Sequence, residues 1–135
     1  MYITNKITLY TETVIDSCHK LNDYDGKCNQ LHGHSWKISI WIQGGREQLN
    51  KAGILFDFGD IKKITNKMDH TYLNEIEEFK DTGKNPTAEN LTVYVLNKLL
   101  ELNEGLGYRV RIYETAVGKE TYCQMQSNGF DPSFL

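Results

Sequence analysis

The sequence predicts an α+β fold, with an antiparallel four-stranded sheet and two helices on one face of that sheet. Apolar residues alternate with period two near both ends of the chain, and two central segments repeat apolar residues every three or four positions. The predicted elements follow the order β-β-α-α-β-β, and strands joined in pairs by short connections favour antiparallel hairpins. The 135 residues suit a single domain, residues 1–135.

The first two predicted strands flank a polar loop. Residues 3–15 are rich in isoleucine, threonine, valine and tyrosine, which favours a strand. Apolar and polar residues alternate over 34–42, which predicts a second strand that ends at Gly44 and Gly45. The residues between these strands, 20–31, are polar and predict the loop of a hairpin.

Two predicted helices follow the first hairpin. An apolar repeat of three to four residues predicts a helix over 58–68, capped by Asp57 or Asp60. The motif NPTAEN opens a second helix, for which Asn85 is the expected cap and Pro86 suits the first helical position.

The last predicted hairpin carries a carboxylate on an apolar face. Glu114 shares its predicted strand face with Val110, Ile112 and Ala116, and a final strand is predicted near 120–126. A carboxylate on an apolar face is costly unless it is paired. Glu114 therefore either binds the N–H donors of a ligand, such as the edge of a pterin or purine, or reaches solvent at the sheet edge.

Composition and charge exclude several classes of function. The net charge of −3 and the isoelectric point near 5.8 give no basic surface for nucleic acid. The sequence contains no apolar run long enough to span a membrane and no secretory pattern. The three cysteines, an odd number, favour a reducing cytoplasm over a disulfide framework. We therefore expect a cytoplasmic protein that binds neither membrane nor nucleic acid.

Three histidines have the spacing of a metal site. His32 and His34 are two positions apart, so on a strand both rings point the same way and can reach one zinc ion. Taken alone, the pair is more typical of surface or otherwise hydrogen-bonded histidines than of a metal site. His19, near the end of the first strand, becomes their neighbour if the first two strands form a hairpin. Three histidines without a fourth protein ligand leave the open position of a catalytic zinc site.

Two further groups are candidates for proton transfer. Cys28 lies in the polar loop, where it is either a fourth metal ligand or a thiolate base that a nearby cation keeps ionised. Asp69 precedes His70, and a carboxylate beside an imidazole can fix the tautomer of the ring. The alternative is an exposed Asp–His pair at the end of a helix.

Six motifs follow one another along nearly the whole chain: His19, CNQLHGH (28–34), ILFDFGDIK (54–62), MDHTYLN (68–74), NPTAEN (85–90) and YET (113–115). Together they resemble the 6-pyruvoyl-tetrahydropterin synthase superfamily. The spacing between Cys28 and His32 and the sequence LHGHSW are similar to its 6-carboxytetrahydropterin synthase branch, which belongs to queuosine biosynthesis. One position departs from the family pattern, because Ile15 stands where an aromatic residue is usual.

The resemblance implies a fold, an assembly and a set of roles. The fold is the tunnelling fold (T-fold), whose subunits join through their sheets into trimeric barrels. Two trimers stack into a homohexamer, with active sites between subunits. The resemblance implies that His19, His32 and His34 are zinc ligands and that Cys28 is the catalytic base. It also implies that His70, assisted by Asp69, is a second proton-transfer group. Glu114 would anchor the pterin ring and is grouped with the catalytic relay.

The implied reaction converts 7,8-dihydroneopterin triphosphate into 6-carboxy-5,6,7,8-tetrahydropterin, acetaldehyde and triphosphate. Zinc beside the substrate hydroxyls and two proton-transfer groups suit this chemistry. Two alternatives stay open. One is the 6-pyruvoyl-tetrahydropterin synthase reaction or a related dihydropterin lyase, which shares the same groups. The other is a non-catalytic zinc-stabilised binding protein with Cys28 as a fourth ligand.

Overall fold

The computed structural model describes residues 3–118 and 120–135. Four strands form one antiparallel sheet in the order β1-β2-β3-β4, which confirms the predicted α+β class and element order. No helix in this part of the chain is long and apolar enough to cross a membrane. The elements are β1 (Lys6–His19), β2 (His32–Gly45), α1 (Phe58–Asn66), α2 (Ala88–Leu102), β3 (Gly107–Tyr113) and β4 (Tyr122–Gln126).

Both helices pack on the same face of the sheet. Alternate residues of each strand point to this face, which we call the helix face. They form one apolar core with the inward residues of α1 and α2. The opposite face, which we call the open face, carries polar and aromatic side chains. Fully buried side chains of the core include Trp36, Ile38, Ile40, Ile42, Leu91, Leu99, Tyr108, Val110 and Ile112.

The first hairpin is longer than the local sequence pattern predicts. β1 continues past residue 15 to His19, which pairs directly with His32. β2 ends at Gly45, as the two glycines predict, and both glycines still pair with the start of β1. Ladder hydrogen bonds between two 14-residue strands override the weak strand propensity of these end residues.

The helix boundaries differ from prediction in both helices. α1 ends at Asn66 and not at residue 68, and α2 begins at Ala88, so Pro86 precedes the helix and does not occupy its first position. Asp57 caps α1 as predicted, since its carboxylate accepts a 2.8 Å hydrogen bond from the Gly59 amide. The prediction that Asn85 caps α2 is wrong. The cap is Thr87, whose hydroxyl accepts from the Asn90 amide. The Asn85 side chain instead makes two 2.8 Å hydrogen bonds to the backbone of Asn22, which tie the long loop to the start of α2.

The segment after α1 runs along the edge strand β1. The backbone amide of His70 donates to the Asp16 carbonyl at 2.7 Å, and the Cys18 amide donates to the Thr71 carbonyl at 3.1 Å. The Ser17 hydroxyl also donates to the Met68 carbonyl. These bonds fix residues 68–71 beside the end of β1 that carries His19.

Candidate metal centre and active site

The register of the first hairpin brings the three predicted histidines together. His19 pairs with His32, and His34 pairs with Ser17, so all three rings lie on the helix face at the end of the sheet. Their ring centroids are 4.5 to 5.2 Å apart. The buried indole of Trp36 supports the cluster, with its centroid 5.0 Å from that of His19 and 5.1 Å from that of His34.

Two of the rings are held in the tautomer that a metal requires. Nδ1 of His19 lies 2.8 Å from the Pro86 carbonyl, and Nδ1 of His32 lies 2.7 Å from the Gln30 carbonyl. Because a carbonyl oxygen only accepts, both Nδ1 atoms carry the proton, and in the neutral rings both Nε2 atoms are bare. Those Nε2 atoms are 2.9 Å apart. Two lone pairs face each other at this distance, so the pair suits a shared cation.

The third histidine leaves a buried nitrogen without a hydrogen bond. Nε2 of His34 has no hydrogen-bond partner among the described residues, and the nearest acidic oxygen, Oε1 of Glu114, lies 3.1 Å away without hydrogen-bond geometry. A buried polar atom without a partner is costly, and coordination of a cation would remove that cost.

Burial favours the neutral form of His19 and of His34. It lowers the pKa of His19, against a smaller opposite effect of the Pro86 carbonyl. It also lowers the pKa of His34, with the carboxylate of Glu114 opposing the shift. Neutral imidazole is the form that coordinates metals, so both rings are prepared to bind a cation below the usual histidine pKa.

The donor set fits zinc. One ligand atom from each of the three histidines and one from Glu114 lie within 4.8 Å of one another. Nitrogen and carboxylate oxygen donors in a roughly four-fold set are typical of zinc. Nδ1 hydrogen bonds to carbonyls, such as those of His19 and His32, are the usual support for zinc-binding imidazoles.

Glu114 does not lie where the sequence pattern predicts. β3 ends at Tyr113, so Glu114 is the first residue beyond the strand and not a member of its apolar face. Its side chain is 44% exposed while it reaches His34. Beyond β3, the Ala116 amide donates to the Ser35 carbonyl at 2.8 Å, which keeps this segment beside β2. Glu114 thus lies beside the histidine cluster.

Asp69 and His70 form a second pair beside the cluster. Oδ1 of Asp69 lies 3.0 Å from Nδ1 of His70 and accepts a 2.9 Å hydrogen bond from the Asp16 amide. That amide bond lowers the pKa of Asp69, with a further contribution from His70. The Asp69 carboxylate therefore favours its ionised form and lies close enough to His70 to orient the ring.

His70 is presented to solvent by an unusual backbone conformation. Its φ of 52° is in the left-handed region, which is uncommon for residues other than glycine and is often found at functional sites. Its side chain is 79% exposed. His70 and His34 both line one open hollow of about 560 Å³ at the end of the sheet. Asp16 and Cys18 of β1 also line this hollow, and His34 is the residue of the metal cluster that borders it.

Cys28 lies apart from the histidines. It is half-buried in a short 3₁₀ turn, Lys27–Asn29, of the loop between β1 and β2, and its thiol forms no disulfide. Its sulfur does not belong to the group of ligand atoms formed by the three histidines and Glu114. Within one chain, the structure therefore does not bring Cys28 to the metal cluster as a fourth ligand.

A sequence profile described as 6-pyruvoyl tetrahydropterin synthase matches residues 8–124. The chain belongs to that family. The match includes both strands of the first hairpin, the Asp69–His70 pair and Glu114.

Individual relatives agree with this assignment. The 6-carboxy-5,6,7,8-tetrahydropterin synthase of Synechocystis sp. is 27% identical over 121 residues, which cover 84% of this chain and 91% of that protein. The 6-pyruvoyl tetrahydrobiopterin synthase of Dictyostelium discoideum is 30% identical over 67% of this chain and 68% of its own. In structure, the 6-pyruvoyl tetrahydropterin synthase of Caenorhabditis elegans matches with a TM-score of 0.71 at 23% identity, covering 95% of this chain and all of that one. The T-fold is thereby confirmed.

Three groups that support the histidine cluster were missed by sequence reasoning. The carbonyls of Gln30 and Pro86 orient two histidines, and the ring of Trp36 packs under the cluster. The motifs LHGHSW and NPTAEN contain Trp36 and Pro86, so a signal was present. A backbone carbonyl carries no sequence identity, however, and its role appears only when two distant segments meet.

Proposed function

We propose that this chain is a zinc-dependent 6-carboxy-5,6,7,8-tetrahydropterin synthase acting in queuosine biosynthesis in the cytoplasm. The observation that carries the proposal is the 2.9 Å approach of the two bare Nε2 atoms of His19 and His32, beside the unpartnered Nε2 of His34. The carboxy-type name of the Synechocystis relative supports the choice of product. Three unpaired thiols suit a reducing compartment.

The residues of the chain divide the work between binding and proton transfer. Zinc held by the three histidines would polarise hydroxyl oxygens of the substrate side chain. His70, exposed and oriented by Asp69, returns or removes a proton at the open side of the hollow. Glu114, whose side chain is 44% exposed, accepts hydrogen bonds from the N–H donors of the pterin ring. Cys28 acts as the thiolate base.

Product analysis tests this proposal. Purified protein, loaded with zinc, is incubated with 7,8-dihydroneopterin triphosphate, and the products are identified by mass spectrometry. We expect 6-carboxy-5,6,7,8-tetrahydropterin together with acetaldehyde and triphosphate. The Dictyostelium relative favours a second candidate, the pyruvoyl synthase, for which 6-pyruvoyl-tetrahydropterin would appear without acetaldehyde. Unchanged substrate would reject both lyase functions.

Assembly is part of the proposal. β1 and β4 are the two edges of the sheet, and an unpaired edge favours pairing with another chain. Edge-to-edge pairing of three copies would close a barrel, and we propose a homohexamer of two such trimers with shared active sites. Analytical ultracentrifugation should give one species of about six chains, whereas an active monomer would reject shared sites.

Alkylation separates the enzyme from a non-catalytic zinc protein. If Cys28 is a base, iodoacetamide modifies its thiol in the zinc-loaded protein, abolishes turnover and leaves the zinc in place. If Cys28 closes a structural site in the assembly, zinc protects the thiol and modification releases the metal. The matched control is Cys28→Ser, in which the remaining cysteines report unspecific modification.

A further inference from the structure

Two arginines on the open face of the sheet are oriented without a carboxylate partner. Arg109 and Arg111 lie two positions apart on β3, so both side chains point to this face, with Cα atoms about 7 Å apart. No acidic oxygen lies within ion-pair distance of either guanidinium in residues 3–118 and 120–135. We call these two residues the arginine pair.

Neutral groups hold the arginine pair in place. The amide oxygen of Gln126 accepts from Nε and Nη2 of Arg109 at 3.2 and 3.0 Å. The amide oxygen of Gln124 accepts from Nε of Arg111 at 2.8 Å, and the Tyr113 hydroxyl receives a second bond from Nη1. A guanidinium has five N–H donors. Each arginine uses two N–H donors in these bonds, so three N–H donors remain on each guanidinium.

Aromatic rings fix the planes of both guanidiniums. Cζ of Arg111 lies 4.2 Å from the ring centroid of Tyr122 and 4.9 Å from that of Trp41. Cζ of Arg109 lies 4.7 Å from the centroid of Phe130 and 5.7 Å from that of Trp41. Stacking covers the flat faces and leaves the N–H edges available. Two rigid forks at this spacing suit bidentate bonds to the oxygens of phosphate groups.

The local charge favours an anion although the whole chain is acidic. The chain has a net charge of −3, yet the arginine pair and Lys37 bring three positive charges to one region of the open face. The carboxylate of Glu12 approaches Lys37 at 3.5 Å and leaves the arginines uncompensated. Two cations placed side by side repel each other, and a bound polyanion would remove this repulsion.

We infer that the arginine pair binds a di- or triphosphate group on the open face of the sheet. This site lies on the opposite face from the histidine cluster and does not rest on the proposed reaction. Linked phosphates can engage both forks at once, whereas a single phosphate engages one. Affinity should therefore increase from inorganic phosphate to inorganic triphosphate and decrease with added salt.

Calorimetric titration with inorganic triphosphate tests the inference. The decisive variant is Gln124→Glu, which places a carboxylate where an amide oxygen already accepts a hydrogen bond from Arg111. The new carboxylate neutralises the guanidinium, and the side chain keeps its size and packing. We expect its affinity to fall at least about 10-fold, as for loss of one charge-assisted bond, with an unchanged or raised melting temperature. Arg111→Lys keeps the charge but loses the fork, and should bind with intermediate affinity.

Two controls locate the bound ion. Lys63→Gln removes an exposed cation from α1 and should leave the affinity unchanged. His32→Ala should also bind triphosphate as the wild type does, because the metal cluster lies on the other face. Loss of binding in His32→Ala with retention in Gln124→Glu would assign the ion to the metal centre and overturn the inference. Absence of binding to the wild type at low salt would overturn it as well.

Discussion

Replacement of His32 by alanine tests the metal centre most directly. His32 contributes one of three converging Nε2 atoms, and its ring is only partly buried, so the substitution leaves the apolar core intact. Perturbing groups that merely orient a zinc ligand typically weakens metal binding 10- to 100-fold, so loss of the ligand itself should cost at least about 100-fold.

The expected effect on stability follows from linkage. With free zinc at about 100 times the wild-type Kd, metal binding stabilises the fold by about 2.7 kcal/mol. A Kd raised 100-fold reduces this to about 0.4 kcal/mol at the same zinc concentration. For a chain of 135 residues the difference corresponds to a melting temperature about 8 °C lower. Without metal, His32→Ala and the wild type should have similar melting temperatures. The substitution removes contacts of the ring, but it also removes the unfavourable approach of two nitrogen lone pairs.

The assay combines metal analysis with thermal melting at fixed free zinc. His70→Ala is the matched control, since its ring lies outside the histidine cluster and should keep both the zinc content and the zinc-dependent shift. One zinc per chain with wild-type affinity in His32→Ala would refute the ligand assignment. If the metal-free variant melts far below the metal-free wild type, the two Nε2 lone pairs of His19 and His32 do not destabilise the metal-free fold as argued.

Three further outcomes follow from the site. Cys28→Ala should keep zinc but lose turnover by about 10²- to 10⁴-fold, measured in the product assay, whereas loss of zinc would identify a ligand. Glu114→Gln should keep most of its zinc and raise KM for the pterin, and a metal-free Glu114→Gln protein would instead make the carboxylate the fourth ligand. Because burial lowers the pKa of His19 and His34, protons bind these rings more readily in the unfolded chain than in the fold. Urea denaturation should therefore show that the metal-free protein loses stability as pH falls below about 6.5, by at most about 1.4 kcal/mol per pH unit for each ring, and His19→Asn should flatten this slope.

The sequence by itself determined the element types and most of the site. Period-two and period-3.6 patterns act through local geometry, so they predict strands and helices without knowledge of the fold. The spacing of His32 and His34 works in the same way, because alternate strand residues share a face whatever surrounds them. His19 required one further step, the assumption of a hairpin, and the register of β1 with β2 confirms it.

The tertiary structure decided the features that depend on contacts between distant segments. Asn85 has good capping chemistry, yet Thr87 caps α2 because the Asn85 side chain is bonded to Asn22 across the loop. β3 ends at Tyr113, three residues before the apolar pattern ends, and Glu114 beyond it lies 3.1 Å from His34. The Pro86 carbonyl, which selects the tautomer of His19, carries no side-chain signal at all. These contacts arise from chain segments that meet only in the folded state, so composition, period and spacing do not encode them locally.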